Sequence, residues 1–215
     1  MVAALVVSTL VLALAFRLGM RYNLRLADFV LGELEKCFQP QTVEYTPMGQ
    51  GVAYGFEYQL PGPIPAMRGV FTTLPRYAPL YVPIARLLGR NDLLKLTFQC
   101  DATVPAGVGT LVHETARRSR WHAVERDDDW TVEEFSVAAQ RFRLFSFNPL
   151  VGQRMRELVP RIAAVTGLNQ ISLDSRRGTI TVFLTPNSNS LRKELNIVAD
   201  ALLFLTAPET RFNVN

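Results

Sequence analysis

The first twenty residues constrain this chain more than any other feature. Residues 2–16, VAALVVSTLVLALAF, carry no charge, and the apolar run reaches Met20 with Arg17 as its one ionic interruption. A helix crossing a hydrocarbon core of roughly 30 Å needs about 17–25 residues. Val2 to Met20 meets that length if Arg17 extends its aliphatic stem toward the headgroups. Val2, Leu5, Val11, Leu14 and Phe16 are then membrane-anchor residues. The rival reading is a cleaved signal peptide, for which Ala13-Leu14-Ala15 supplies a small-residue cleavage site. It would leave a cell-envelope structural protein with its domain outside the cytoplasm. Against it, no Lys or Arg precedes the run, whereas Arg17, Arg21 and Arg25 all follow it. The positive-inside rule then predicts a retained single-pass anchor, with the N-terminus outside and the C-terminal domain cytoplasmic. Residues 1–22 read as the anchor and residues 23–215 as one soluble domain.

Beyond the anchor the hydrophobic period changes several times. Leu26, Val30, Leu34 and Cys37 recur at helical spacing and predict a helix over 23–37 that Pro40 ends. Segments 41–46 and 52–60 read as a hairpin, with Tyr54, Phe56, Tyr58 and Leu60 alternating with polar or small residues. A strand over 68–74, a short helix over 79–88 and a strand over 94–100 follow. Segments 109–125 and 132–147 read as further strands, with Asp127-Asp128-Asp129 as a charged turn between them. Gly107-Val108-Gly109 reads as a turn. Val151, Met155, Leu158 and Ile162 mark a helix, with Pro160 as a kink or early stop and Gly167 as its C-cap. Segments 170–174 and 179–185 form a second hairpin around Arg176-Arg177-Gly178. Ser188 or Asn189 then caps a helix striped by Leu191, Leu195, Val198, Leu202 and Leu205. Strands outnumber helices and join mostly through short turns. This predicts the α+β class, a mostly antiparallel sheet with helices packed on one face.

Catalytic patterns do not surface. The chain lacks the nucleophile elbow, the phosphate-binding loop, the HExxH zinc motif and the EF-hand loop. His113 and His122 are the two histidines, which severely limits acid–base chemistry, and His113 lies in a strand-like segment. Cys37 and Cys100 sit among apolar residues and read as buried reduced thiols. Neither has the companions a zinc site requires. The acidic run Asp127, Asp128, Asp129, Glu133 and Glu134 fits no calcium loop and reads as a solvated turn. A hydrolase would need a pocket gathering Asp127, Glu133 and His122. The expectation is therefore a non-enzymatic protein with no catalytic or metal-binding residue, no cofactor and no small-molecule substrate.

The positive charge is more informative. A net charge of +4 favours anionic partners, though weakly. Arg17, Arg21 and Arg25 suit anionic lipid at the end of the anchor. Arg117, Arg118 and Arg120 beside Trp121 suit phosphate contact and stacking, against the plainer reading of a solvated hairpin tip. Pro75, Pro79 and Pro83, with Tyr77, Tyr81 and Arg86, mark a segment that either docks on a membrane or partner protein or crosses the core irregularly.

The order of elements resembles the cytosolic domain of the calumin family, eukaryotic single-span endoplasmic-reticulum proteins also called coiled-coil domain-containing protein 47. The resemblance runs from Arg25-Leu26-Ala27 and the helix ending near Phe38, through Met67–Phe98 with Pro83-Ile84-Ala85-Arg86-Leu87-Leu88. It closes with the hairpin Ile171–Asp174 and Thr179–Leu184 and the helix to Leu205. It implies a role beside a protein-conducting channel, as an insertion or assembly factor or chaperone for multipass membrane proteins. Membrane lipid, an integral membrane protein, and more weakly ribosome or RNA are the partners expected. The family's acidic luminal region and basic helical tail have no counterpart in these residues, which takes tail-mediated ribosome contact out of the expectation and points to a prokaryotic relative with a reduced role.

Overall fold

The computed structural model of the protein describes residues 2–49, 51–100, 107–114, 130–137 and 140–207. Helix α1 (Val2–Phe38) is one unbroken rod of 37 residues, about 55 Å long at a rise of 1.5 Å per residue. Residues 2–18 lie almost wholly exposed. From Gly19 onward the helix buries Gly19, Asn23, Ala27, Val30, Glu33 and Leu34, a stripe at the spacing that keeps one helical face against a core. It ends where Gln39 turns left-handed (φ 45°) and its N–H meets the Glu35 carbonyl at 2.8 Å. Pro40 then forbids a further turn.

The strands follow in antiparallel pairs: β1 (Thr42–Met48), β2 (Ala53–Gln59), β3 (Ala66–Thr72), β4 (Leu93–Gln99), β5 (Val108–His113), β6 (Thr131–Val137), β7 (Gln140–Ser146), β8 (Leu168–Asp174) and β9 (Thr179–Leu184). Together they make one sheet of nine strands in the order β1-β2-β3-β4-β9-β8-β5-β7-β6. Its register explains the two faces. Leu96 lies opposite Val182, Val182 opposite Ile171, Ile171 opposite Leu111 and Leu111 opposite Leu144. One apolar row therefore crosses five strands, each residue at most 1% exposed. Alternation at period two sends the neighbouring residues to the other face. There Thr97, Thr181, Ser172 and Thr110 form a hydroxyl row, with oxygen–oxygen distances of 3.4 Å (Thr97–Thr181) and 3.2 Å (Thr110–Ser172).

The apolar face is covered by the second half of α1, by α3 (Pro149–Ile162) and by α4 (Leu191–Thr206). All five expected stripe residues of α4 are buried. Burying each such side chain stabilises the fold by about 1.5–3 kcal/mol. On the same face Phe56 lays its ring over Gly69, its cross-strand partner. A Cβ at Gly69 would overlap that ring. The α+β architecture expected from the sequence is the one observed.

Several local readings change. Segment 132–147 is a hairpin, β6 and β7, rather than one strand. Phe135 pairs with Phe142 across it, and the apolar positions change phase, from Phe135 and Val137 in β6 to Phe142 and Leu144 in β7. Of segment 109–125, β5 accounts for the part up to His113, and residues 115–125 lie outside the described residues, as does the acidic turn Asp127-Asp128-Asp129. Gly109 belongs to β5, packed beneath Val151 of α3, rather than to a turn. Helix α3 runs through Pro160 to Ile162. A proline in the last turn removes a single hydrogen bond, which the packed Leu158, Val159 and Ile162 offset. The C-cap of α3 is Ala163, and Gly167 instead gives its N–H to Glu194 at 3.3 Å. The N-cap of α4 is Ser190. Its hydroxyl donates to the Glu194 carboxylate (3.1 Å) rather than accepting from the helix backbone.

Candidate membrane interface

The end of the domain nearest the exposed half of α1 is built on one polar cluster. Asn23, fully buried in α1, donates its side-chain amide to the Leu74 carbonyl at 2.9 Å. The Arg76 guanidinium donates to the Asn23 side-chain oxygen at 3.1 Å and to both Asp92 oxygens at 2.9 and 2.6 Å. Asp92 also accepts the Leu74 N–H at 2.8 Å. The Arg76 guanidinium lies 4.8 Å above the Tyr22 ring. A buried polar side chain without partners costs about 1–3 kcal/mol, so the closure of this network is what admits Asn23 to a helix–sheet interface. One turn along, Gly19 sits directly against the Arg76 backbone, where a Cβ would overlap the carbonyl oxygen. Phe16 then meets Tyr77 edge-on, ring centroids 5.5 Å apart.

The connection from β3 to β4 carries the short helix α2 (Tyr81–Leu87). Pro83 is tolerated because it falls in the first turn. Ala85 alone is buried, whereas Leu80, Ile84, Leu87 and Leu88 are 80, 55, 88 and 64% exposed. Tyr81 accepts a hydrogen bond from the Arg90 guanidinium. Tyr77, expected to be exposed, is half-buried against the anchor helix. Tyr81 and Arg86 remain exposed.

Arg17, Arg21 and Arg25 stand at four-residue intervals on α1 and so share one face. All three are exposed. The anchor residues Val2, Leu5, Val11, Leu14 and Phe16 are also exposed, on a helix long and apolar enough to span a membrane. Arg117, Arg118, Arg120 and Trp121 lie outside the described residues, as do Asp127 and His122.

No family model and no curated protein matches the chain.

Two further features bear on chemistry. A cleft of about 400 Å³ between α1 and the edge strand β1 is lined by Asp28, Glu35, Tyr45 and Tyr54. Tyr45 hydrogen-bonds to Glu35 and lies 2.9 Å from the Tyr58 hydroxyl. Burial, then the hydrogen bond to Glu35, pushes the Tyr45 phenol far above its ordinary range, and burial pushes Tyr58 up to about 12. Both stay protonated at neutral pH, which suits neither a base nor a nucleophile. Glu133 is engaged by the Arg156 guanidinium at 2.7 and 2.5 Å, and Glu134 by Arg143. Among the described residues no group of three or more His, Cys, Asp or Glu is placed to hold a metal ion.

Sequence reasoning missed Gly19, Asn23 and Asp92. Gly19 is a small residue inside an apolar run, and Asn23 is a polar residue on the buried helical stripe. Either departure from pattern was a usable signal. Asp92 had none, because its partner Arg76 is sixteen positions away across a connection of no regular period.

Proposed function

We propose that this protein is a membrane-anchored, non-enzymatic interaction domain that assists the insertion or assembly of integral membrane proteins. The observation that carries this reading is the continuity of α1. Its most apolar stretch is only 6% buried, while the same helix, without a break, supplies Ala27, Val30 and Leu34 to the core. A helix of this kind has no use for the thirteen exposed apolar residues it carries between Val2 and Leu18 in water. Placed in a bilayer, it holds the domain rigidly against one membrane face rather than on a flexible tether. The arginine face at 17, 21 and 25 favours the cytoplasmic side. Confinement there raises the effective concentration of the domain near membrane-embedded partners.

Crosslinking in intact cells, purification in mild detergent and mass spectrometry of the recovered proteins test this reading. Enrichment of channel or insertase subunits, with or without ribosomal proteins, is the expected result. Recovery of the protein alone, or only with cell-envelope components, overturns it.

A further inference from the structure

We propose that the segment around α2, residues 79–88, is a second membrane contact, lying in the headgroup–acyl boundary beside the point where α1 leaves the bilayer. This rests on the anchor reading of α1 and adds to it a fixed orientation of the domain.

The placement follows from three contacts. Leu74 is held at Asn23, Arg76 at Gly19 and Tyr77 at Phe16. As the chain leaves β3 it therefore climbs α1 toward the N-terminus, by seven helical residues or roughly 10 Å. At Phe16 it has reached the uncharged part of the anchor. Helix α2 begins just beyond, and the polar cluster of Asn23, Arg76 and Asp92 locks the base of the excursion in place.

The exposure pattern of α2 is inverted for a helix in water. Its small Ala85 faces inward, and Leu80, Ile84, Leu87 and Leu88 face outward at four-, three- and one-residue steps, on one side. Single exposed aliphatics are ordinary, but four together on a short helix and its two caps, Leu80 and Leu88, mark a contact surface. The occupant is lipid, because this surface is continuous with the anchor. Arg86 on the same helix, exposed, has the length to reach lipid phosphate while the aliphatics enter the acyl region. A single span leaves rotation about its own axis and tilt undetermined. A second contact off that axis removes both freedoms and sets which edge of the sheet faces neighbouring membrane proteins.

The test uses the full chain in vesicles of phosphatidylcholine containing a minority of phosphatidylglycerol. An environment-sensitive fluorophore is attached through Leu10→Cys in the anchor, Leu87→Cys in α2, or Arg177→Cys at the far hairpin, with the unsubstituted chain measuring labelling of the native thiols. The label at 10 is expected to be blue-shifted and quenched by deep lipid-borne quenchers, the label at 87 blue-shifted and quenched by shallow ones, and the label at 177 aqueous. An aqueous label at 10 overturns the anchor reading and this inference with it. A lipid-buried label at 10 with an aqueous label at 87 overturns this inference alone. So does a label at 87 that is shielded in native membranes but aqueous in protein-free vesicles, since a protein then covers α2. Photoactivatable lipids supply a readout on the unsubstituted chain, with adducts expected on the peptide spanning 79–88. Adducts confined to α1 overturn the proposal.

Discussion

The Arg76 guanidinium and the Asp92 carboxylate meet in a two-pronged pair, at 2.9 and 2.6 Å, each side chain only 15% exposed. Because Asp92 also takes the Leu74 N–H and Arg76 also reaches Asn23, the pair binds both ends of the β3–β4 connection to α1. Removing one partner strands the other in a poorly solvated site. Arg76→Ala is therefore expected to destabilise the domain by about 2 kcal/mol. Urea unfolding of the full chain in mild detergent, followed by circular dichroism, reads this. A midpoint unchanged from the parent would show the cluster to be dispensable.

Gly19→Ala sets two effects against each other. Alanine favours an isolated helix by about 1 kcal/mol over glycine. Its Cβ, however, overlaps the Arg76 carbonyl, and that backbone cannot swing aside while Leu74 and Arg76 are held by Asn23 and Asp92. Overpacking of this kind costs about 1–3 kcal/mol. The expected outcome is a lower thermal midpoint and faster chymotryptic cleavage at Tyr77 and Tyr81. A raised midpoint would mean that the connection relaxes freely.

Cys37 packs against the core with its thiol 3.2 Å from the Asn196 side-chain oxygen. Burial pushes its pKa from 9.0 up to about 11. The thiolate, which is the nucleophile, is then scarce at neutral pH. Iodoacetamide at pH 7.5 is expected to modify the folded chain slowly at this position and the urea-unfolded chain quickly, as mass spectrometry of the tryptic peptide would record. Equal rates would contradict it.

His113, half-buried at the end of β5 with its ring 5.1 Å from that of Phe142, has its pKa lowered from 6.5, burial outweighing the nearby Glu114 carboxylate. A histidine harder to protonate when folded than when unfolded gives stability that is complete above its unfolded pKa of about 6.5. That stability is lost as the pH falls from there through the folded value. Unfolding midpoints should decline below pH 6.5, and His113→Gln should flatten that part of the profile. An imidazole NMR titration assigned to His113 with a midpoint at or above 6.5 would reverse the sign.

Local pattern determined much of this protein. The uncharged run from Val2, the helical stripe Leu26, Val30 and Leu34, the alternation in β2 and β4, and the stripe of α4 were all legible, because each is set by one element burying one face. Between β6 and β7 the alternation shifts phase, from Phe135 and Val137 to Phe142 and Leu144, a mark of reversal that reading the segment as one strand passes over. Tertiary structure alone decided that nine strands close into a single sheet, with β9 inserted beside β4 and β8 beside β5, because strand order depends on which apolar rows can be continued across neighbours far apart in sequence. It also decided the candidate interface. Whether Leu80, Ile84 and Leu87 face a core or the outside depends on where Arg76 finds Asp92 and Asn23. Those long-range hydrogen bonds fix the connection to α1 and leave its aliphatic side uncovered.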